Sequence, residues 1–371
     1  MYPRLSLALL LAAALLGCST EPRYNVAGQV PGFDRARLLA VVDQAAHSDR
    51  NLHSLLVERF GRLSAELYRN GWNTSLSDGS VFSLWSSLGP QTIHDVRSTT
   101  KSVMALVAGG VLARHPDYSL RSRVRDFPEL AAKAPPDVQN LELHDFLGMS
   151  SGLAWKEWGE GLLTSDETRL FSDKDPVGYA LNRRLEYPPG THFNYSEGST
   201  FIASRMLELI DGRPITEIVR TDLFLPLGIV DLKWGKGANG YPLPYAGLGL
   251  RSGDMLKLGE LMLARGRWQG RQVIPAEWVD AVTSPLVKVE TNFFDLDDQG
   301  TSYGFFWWNG TYDGQGVKTR WYSTVGNGGQ KIFVVPALEL IVVMTGGDYG
   351  QPEIQIWETG LLKKLLAAVT L

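Results

Sequence analysis

The chain has 371 residues, with 36 Lys and Arg against 40 Asp and Glu, a formal net charge of −4, 11 Trp and 39 Gly. So mild a charge without a basic stripe argues against a nucleic-acid partner, and a single cysteine leaves no disulfide framework and no Cys-based metal site within one chain. The 44% hydrophobic content describes a well-packed body with many tight turns, and it names no reaction.

Residues 1–17 read as a signal peptide. Arg4 supplies a positive start, Leu5 to Leu16 an apolar stretch too short to span a bilayer, and Leu15-Leu16-Gly17-Cys18 a small-residue cleavage site. That tetrapeptide resembles a bacterial lipobox, in which the cysteine is lipidated and becomes the mature N-terminus. Cys18 is therefore the expected lipidation site, and Ser19 in place of Asp points by the same resemblance to the outer membrane, periplasmic side. Residues 18–32, ending Val30-Pro31-Gly32, lack periodicity and read as a flexible tether.

One domain is expected over 33–371. Asp34 opens a helix with Leu38, Leu39, Val42 and Ala45 at helical spacing, and Ser54 to Phe60 and Leu63 to Tyr68 read as a hairpin turning at Gly61-Arg62. Lys101 to Leu112 is apolar nearly all round, the mark of a helix buried on every side. Short helices at Pro128 to Ala132, Leu141 to Met149, Pro176 to Leu181 and Gly198 to Asp211 outline a helical lobe over about 113–235. The last third returns to an α/β part: a helix capped by Ser252, strands at Tyr303 to Trp308, Lys331 to Val335 and Leu338 to Met344, and a closing helix from Glu353 to Val369. Strands from both ends, at about 33–112 and 236–371, are expected to share one sheet in an α/β (α+β) fold.

The chemistry starts at Ser98-Thr99-Thr100-Lys101, where a polar approach meets the apolar helix. A hydroxyl and an amine three residues apart at a helix start share a face, so Ser98 reads as a nucleophile and Lys101 as its base. Burial and the positive helix end are expected to lower the lysine pKa, and the same helix end offers the Ser98 N–H to an oxyanion. The Gly-rich run 326–330 ahead of a strand marks close approach of backbone to a ligand, with Gly326 and Gly328 as the contact positions.

Further segments, in order, resemble the serine β-lactamase and penicillin-recognising superfamily. They are Leu147-Gly148-Met149-Ser150-Ser151-Gly152-Leu153, Pro188-Pro189-Gly190-Thr191-His192-Phe193-Asn194-Tyr195-Ser196, Gly247-Leu248-Gly249-Leu250-Arg251-Ser252 with Gly266 to Trp278, and Val325-Gly326-Asn327-Gly328-Gly329-Gln330. The resemblance implies a β-lactamase-like fold, an antiparallel sheet with an inserted helical lobe. It implies that Tyr195 shuttles a proton beside Ser98 and Lys101, and that the Asn327 N–H is the second oxyanion donor. Two departures stand out: Thr324-Val325-Gly326 sits where many members carry Lys-Thr-Gly, and Glu197 stands where they carry Asn two residues after the Tyr. Glu197 is a substrate contact or bonds within the lobe. Both departures argue against penicillin or D-alanyl-D-alanine recognition and bring the pattern closer to the esterase and 6-aminohexanoate-dimer hydrolase branch.

The expected activity is hydrolysis of small esters or linear amides through an acyl-enzyme on Ser98, without cofactor or metal. The rivals are a peptidoglycan-directed peptidase or β-lactamase, and a non-catalytic binding lipoprotein of the same fold. Gly148-Met149-Ser150-Ser151-Gly152 also fits a nucleophile elbow, but helical spacing before it and 42 residues to His192 leave no room for that fold. The six histidines show no metal-ligand spacing. Trp155, Trp158, Trp307, Trp308 and Trp321 are candidates for an aromatic cleft, with Trp307 and Trp308 on opposite faces of a strand.

Overall fold

The computed structural model describes residues 21–75, 82–157, 165–290, 300–314 and 316–371. Leu5 to Gly17, Cys18 and Trp158 lie outside the described residues. Its frame is a nine-stranded antiparallel sheet. The strands are β1 (Arg23–Val26), β2 (Leu52–Arg59), β3 (Arg62–Tyr68), β4 (Val287–Lys288), β5 (Ser302–Tyr303), β6 (Trp308–Gly314), β7 (Val317–Gly326), β8 (Gln330–Val335) and β9 (Leu340–Gly346). They lie in the order β1-β3-β2-β9-β8-β7-β6-β5-β4. The first hairpin joins the last strand where Val57 lies opposite Val342, so the two chain ends form one sheet as expected.

Among the described residues, five helices of twelve residues or more flank it: α1 (Arg35–Ala46), α2 (Thr99–Arg114), α3 (Glu197–Asp211), α4 (Ser252–Leu263) and α5 (Glu353–Ala367). Neighbouring residues on β8 point to opposite faces. Lys331 reaches Glu358 of α5, whereas a Cβ on Gly259 of α4 would lie 3.2 Å from the Ile332 side chain and 2.6 Å from Ile341. Only glycine lets α4 settle this closely on the sheet. Asp34 caps α1, accepting from the N–H groups of Ala36 and Arg37 at 3.0 and 3.1 Å. Helix α2 buries every residue from Thr99 to Gly109.

Three expectations about elements are corrected. Arg23–Val26 is not tether: it pairs along the open edge of β3, Arg23 opposite Tyr68 and Val26 opposite Ala65, because that edge otherwise leaves its backbone groups unpaired. Ser252 does not cap α4; Arg251 holds the cap position and Ser252 is the first helical residue. Tyr303 to Trp308 is two strands, since Phe306 adopts a left-handed φ of 55° and reverses the chain between β5 and β6. Trp307 and Trp308 therefore do not alternate across one strand, and both are buried.

Candidate active site

Ser98 occupies the cap position of α2, with helical backbone angles and no capping bond from its side chain, so its hydroxyl is left for other partners. The approach to it is pinned from outside the helix. His94 and Asp95 pair with Leu250 and Gly249, and Val96 donates to the Leu248 carbonyl at 2.9 Å. Behind it, the Trp278 Nε1–H donates to the Ala105 carbonyl at 2.8 Å, and a Cβ on Gly109 would fall 2.2 Å from that indole. The Gly247–Ser252 and Gly266–Trp278 segments thus hold the front and the back of α2.

Lys101 lies one turn on, 1% exposed. Its Nζ donates to Ser98 Oγ at 3.0 Å, to Glu197 Oε1 at 2.8 Å and to the Tyr245 carbonyl at 3.2 Å. An ammonium has three N–H bonds, and here it meets three acceptors. Burial alone would lower its pKa, but the Glu197 carboxylate with Tyr195 beside it more than offsets this, and the pKa stands above the ordinary lysine value. The expected depression is therefore reversed: Lys101 is a charged donor in the resting site, because burial brings it onto a carboxylate.

Glu197 is the first residue of α3, 2% exposed, where the positive end of the helix favours an anion. Its bond leaves the lobe to reach Lys101 on α2, rather than staying within the lobe.

Tyr195 precedes α3 and is half-buried. The Lys101 ammonium lies 4.6 Å from its ring centroid, and the ring stacks on Trp308 at 6.2 Å. The 148–153 loop sets its position: Met149 O accepts from Asn194 N, and Ser150 O from Gly190 N, both at 2.8 Å. Gly152, at φ 77°, is needed because a Cβ there would lie 2.0 Å from the Tyr187 carbonyl. Ser150 itself follows the short helix Leu143–Leu147 and is 3% exposed, so no strand-to-helix elbow presents it.

Strand β7 ends beside the start of α2. The Thr99 hydroxyl donates to Thr324 Oγ1 at 3.0 Å, and a Cβ on Gly326 would lie 2.4 Å from the Val96 carbonyl. The exposed Asn327 follows, its side chain accepting from Gly350 N at 2.8 Å. Gly328, at φ 87°, packs on the ring of Tyr349, and Arg97 covers that ring with its guanidinium 4.4 Å from the centroid. The fold thus gathers Ser98, Lys101, Tyr195, Glu197 and the 326–328 turn. Of the five tryptophans expected in a cleft, Trp308 touches Tyr195, whereas Trp155 bonds Glu157, Trp307 bonds the Ser102 carbonyl and Trp321 stacks on Phe333. Tyr245 was not legible as a site residue, because it acts through its carbonyl, which no side-chain motif announces.

A family model described as Beta-lactamase matches residues 75–354. The chain belongs to the Beta-lactamase family. A 6-aminohexanoate-dimer hydrolase of Paenarthrobacter ureafaciens is 22% identical over 327 residues, covering 85% of this chain and 77% of that protein. Among solved structures, a class C β-lactamase from Rhodobacter sphaeroides superposes with a TM-score of 0.61 at 16% identity, covering 89% of this chain and 98% of its own. A penicillin-binding protein from Bacillus halodurans gives 0.63 at 15%, covering 88% and 99%. These likenesses show the fold, and the family makes the chain a serine hydrolase of β-lactamase type.

Proposed function

We propose that this β-lactamase-family hydrolase cleaves small esters or linear amides through an acyl-enzyme on Ser98. The observation that carries the reading is the Lys101 ammonium shared between Ser98 Oγ at 3.0 Å and Glu197 at 2.8 Å, with Tyr195 against it. Because the ammonium donates to Ser98 Oγ, the serine proton points elsewhere, and Tyr195 is the group to receive it. As Ser98 Oγ bonds to the carbonyl carbon, its proton passes to the Tyr195 oxygen while the phenol proton goes to the leaving alkoxide or amine. Lys101 stabilises the negative charge shared between them. The N–H groups of Ser98 and Asn327 hold the oxyanion, and Gly326 keeps the turn close enough to do so. Water then enters by the reverse relay, giving the acid and free Ser98.

Thr324 supports an ester or amide over a penicillin. Its hydroxyl bonds inward to Thr99 and accepts from the Ile332 N–H at 3.0 Å, so this stretch of strand offers no cation to a substrate carboxylate. The relative from Paenarthrobacter, named a 6-aminohexanoate-dimer hydrolase, favours the same class. A lipid on Cys18 holding the enzyme to the periplasmic side of the outer membrane completes the proposal.

Mass spectrometry after treatment with a fluorophosphonate is expected to show one adduct, on Ser98, with loss of p-nitrophenyl ester hydrolysis. An adduct on Ser150, or turnover that continues without any adduct, overturns the scheme. Nitrocefin should be hydrolysed far more slowly than the best ester.

A further inference from the structure

A two-stranded ribbon of Gly71–Asn73 against Leu84–Ser86 carries large apolar side chains into solvent. Trp72 and Trp85 lie directly opposite each other and make an edge-to-face pair with centroids 5.8 Å apart. They are 53% and 56% exposed, and Leu84 and Phe82 beside them are 64% and 76% exposed. Elsewhere the exposed large apolar residues are mostly scattered singly, which needs no explanation; four within one small ribbon do.

The chain leaves the folded body at the base of this same ribbon. Arg23, the first residue of β1, donates from its guanidinium to the Leu88 carbonyl, and Leu88 N donates to Asn70 Oδ1 at 3.1 Å. Asn70 immediately precedes one ribbon strand, and Leu88 follows the other by two residues. Cys18 lies five residue steps before Arg23, and at full extension these reach no further than about 17 Å. Trp72 and Trp85 are two and three residues from Asn70 and Leu88, about 7–11 Å on the same measure. A lipid on Cys18 would thus enter a bilayer within reach of both indoles. Tryptophan, with an apolar ring and one N–H, favours the boundary between headgroups and acyl chains.

We propose that the Trp72–Trp85 ribbon, with Phe82 and Leu84, is a membrane-seating surface that inserts at the bilayer interface beside the lipid anchor. The inference rests on the anchor proposed above and adds an orientation to it. The ribbon also touches the catalytic body: the Tyr349 hydroxyl donates to Asn73 Oδ1 at 3.3 Å and to the Thr74 carbonyl at 3.2 Å, and Tyr349 packs on Gly328. Seating the ribbon would therefore hold the mouth of the site at a fixed height above the lipid.

The test uses the full-length lipoprotein reconstituted in phosphatidylethanolamine–phosphatidylglycerol vesicles whose acyl chains are brominated near the headgroup. Tryptophan emission should fall relative to unbrominated vesicles, and the Trp72→Ser/Trp85→Ser variant should lose at least half of that fall while remaining vesicle-bound. No quenching in the wild type, or equal quenching in the variant, overturns the proposal. So does a tenfold loss of kcat/KM toward a soluble ester in detergent, which would assign the patch to the substrate cleft. Labelling with radioactive palmitate in wild type and Cys18→Ala reads the anchor separately. Absence of label from the wild type removes the anchor, and this inference with it; label without quenching removes only the seating surface.

Discussion

Two buried Lys–Glu pairs with almost the same geometry sit in this molecule. Lys101 and Glu197 are 2.8 Å apart at 1% and 2% exposure of their side chains, and Lys331 and Glu358 are 2.9 Å apart at 0% and 0%. The pairs differ in what else the lysine meets. Lys331 also donates to the Gln355 amide oxygen at 3.0 Å, against α5. Lys101 donates to a serine hydroxyl that is itself half-buried, and its ammonium also lies against the Tyr195 ring. A buried ion pair therefore does not mark a site; a buried ion pair with one bond directed at an accessible hydroxyl does. The titrations differ too. The Glu358 carboxyl is pushed up by burial, only partly offset by Lys331, whereas at the other pair it is the lysine that is held above its ordinary value.

The sharpest way to break the comparison is to remove each lysine. Lys101→Ala and Lys331→Met each strand a buried carboxylate, and each should cost about 3–5 kcal/mol of stability, read as a lowered Tm. Their kinetics should part: Lys101→Ala should lower kcat/KM for a p-nitrophenyl ester by about 10³-fold or more, and Lys331→Met should leave it within about twofold. Equal kinetics in the two variants would return Lys101 to a structural role.

Tyr195→Phe comes next. It removes a proton-transfer group from a ring whose stacking on Trp308 is kept, so kcat should fall about 10²–10⁴-fold with stability nearly unchanged. A wild-type rate in this variant would return the serine proton to Lys101 and contradict the ammonium assignment.

Glu197→Gln gives a smaller effect but tests the cause. With the carboxylate gone, burial is opposed only by Tyr195 and the lysine pKa falls. For a group whose folded pKa is raised, the stabilisation is full below its unfolded pKa of 10.5 and is lost only as pH rises through the higher folded value. The wild type should therefore show no Lys101-dependent loss of activity or stability up to about pH 10. The variant should lose kcat/KM along an alkaline limb displaced toward neutral pH, while Glu358→Gln leaves the profile where it was.

The halves of this comparison were unequally legible in the sequence. Ser98 and Lys101 stand three residues apart on one helix, so local pattern exposed that pair, whereas Tyr195 was marked only by the family resemblance of its loop. Glu197 was visible as a departure from the family pattern, but its partner was not, because the 2.8 Å contact joins the first turns of two helices 96 residues apart. Burial of Lys101 was foreseen correctly and its consequence inverted, since a desolvated lysine and a desolvated lysine on a carboxylate look alike in one dimension. Lys331 and Glu358 were hidden for the same reason, inside a strand and a closing helix that were both read correctly. Strand β1 was missed because Arg-Tyr-Asn-Val is too short and polar to show alternation, and its place is set by the edge of β3. The Phe306 reversal gave no signal either, as a left-handed φ at an aromatic residue runs against intrinsic preference.

The smallest expected effect comes from replacing the structural pair whole. A Lys331→Met/Glu358→Leu chain removes both charges together, and no ion is left without a partner. Residues of similar volume against Phe333, Ile354 and the α5 face recover by burial what the pair gave by attraction, so stability should return to within about 1–2 kcal/mol of wild type. Because the pair's carboxyl is raised by burial, its contribution is full below pH 4.5 and declines as pH rises through the folded value, so the apolar chain should gain on wild type toward alkaline pH. Urea denaturation at pH 5 and pH 9 reads that crossover, and kcat/KM should be the same in both proteins. The corresponding double replacement at Lys101 and Glu197 can restore stability in the same way but not turnover, because only there does the lysine also donate to Ser98.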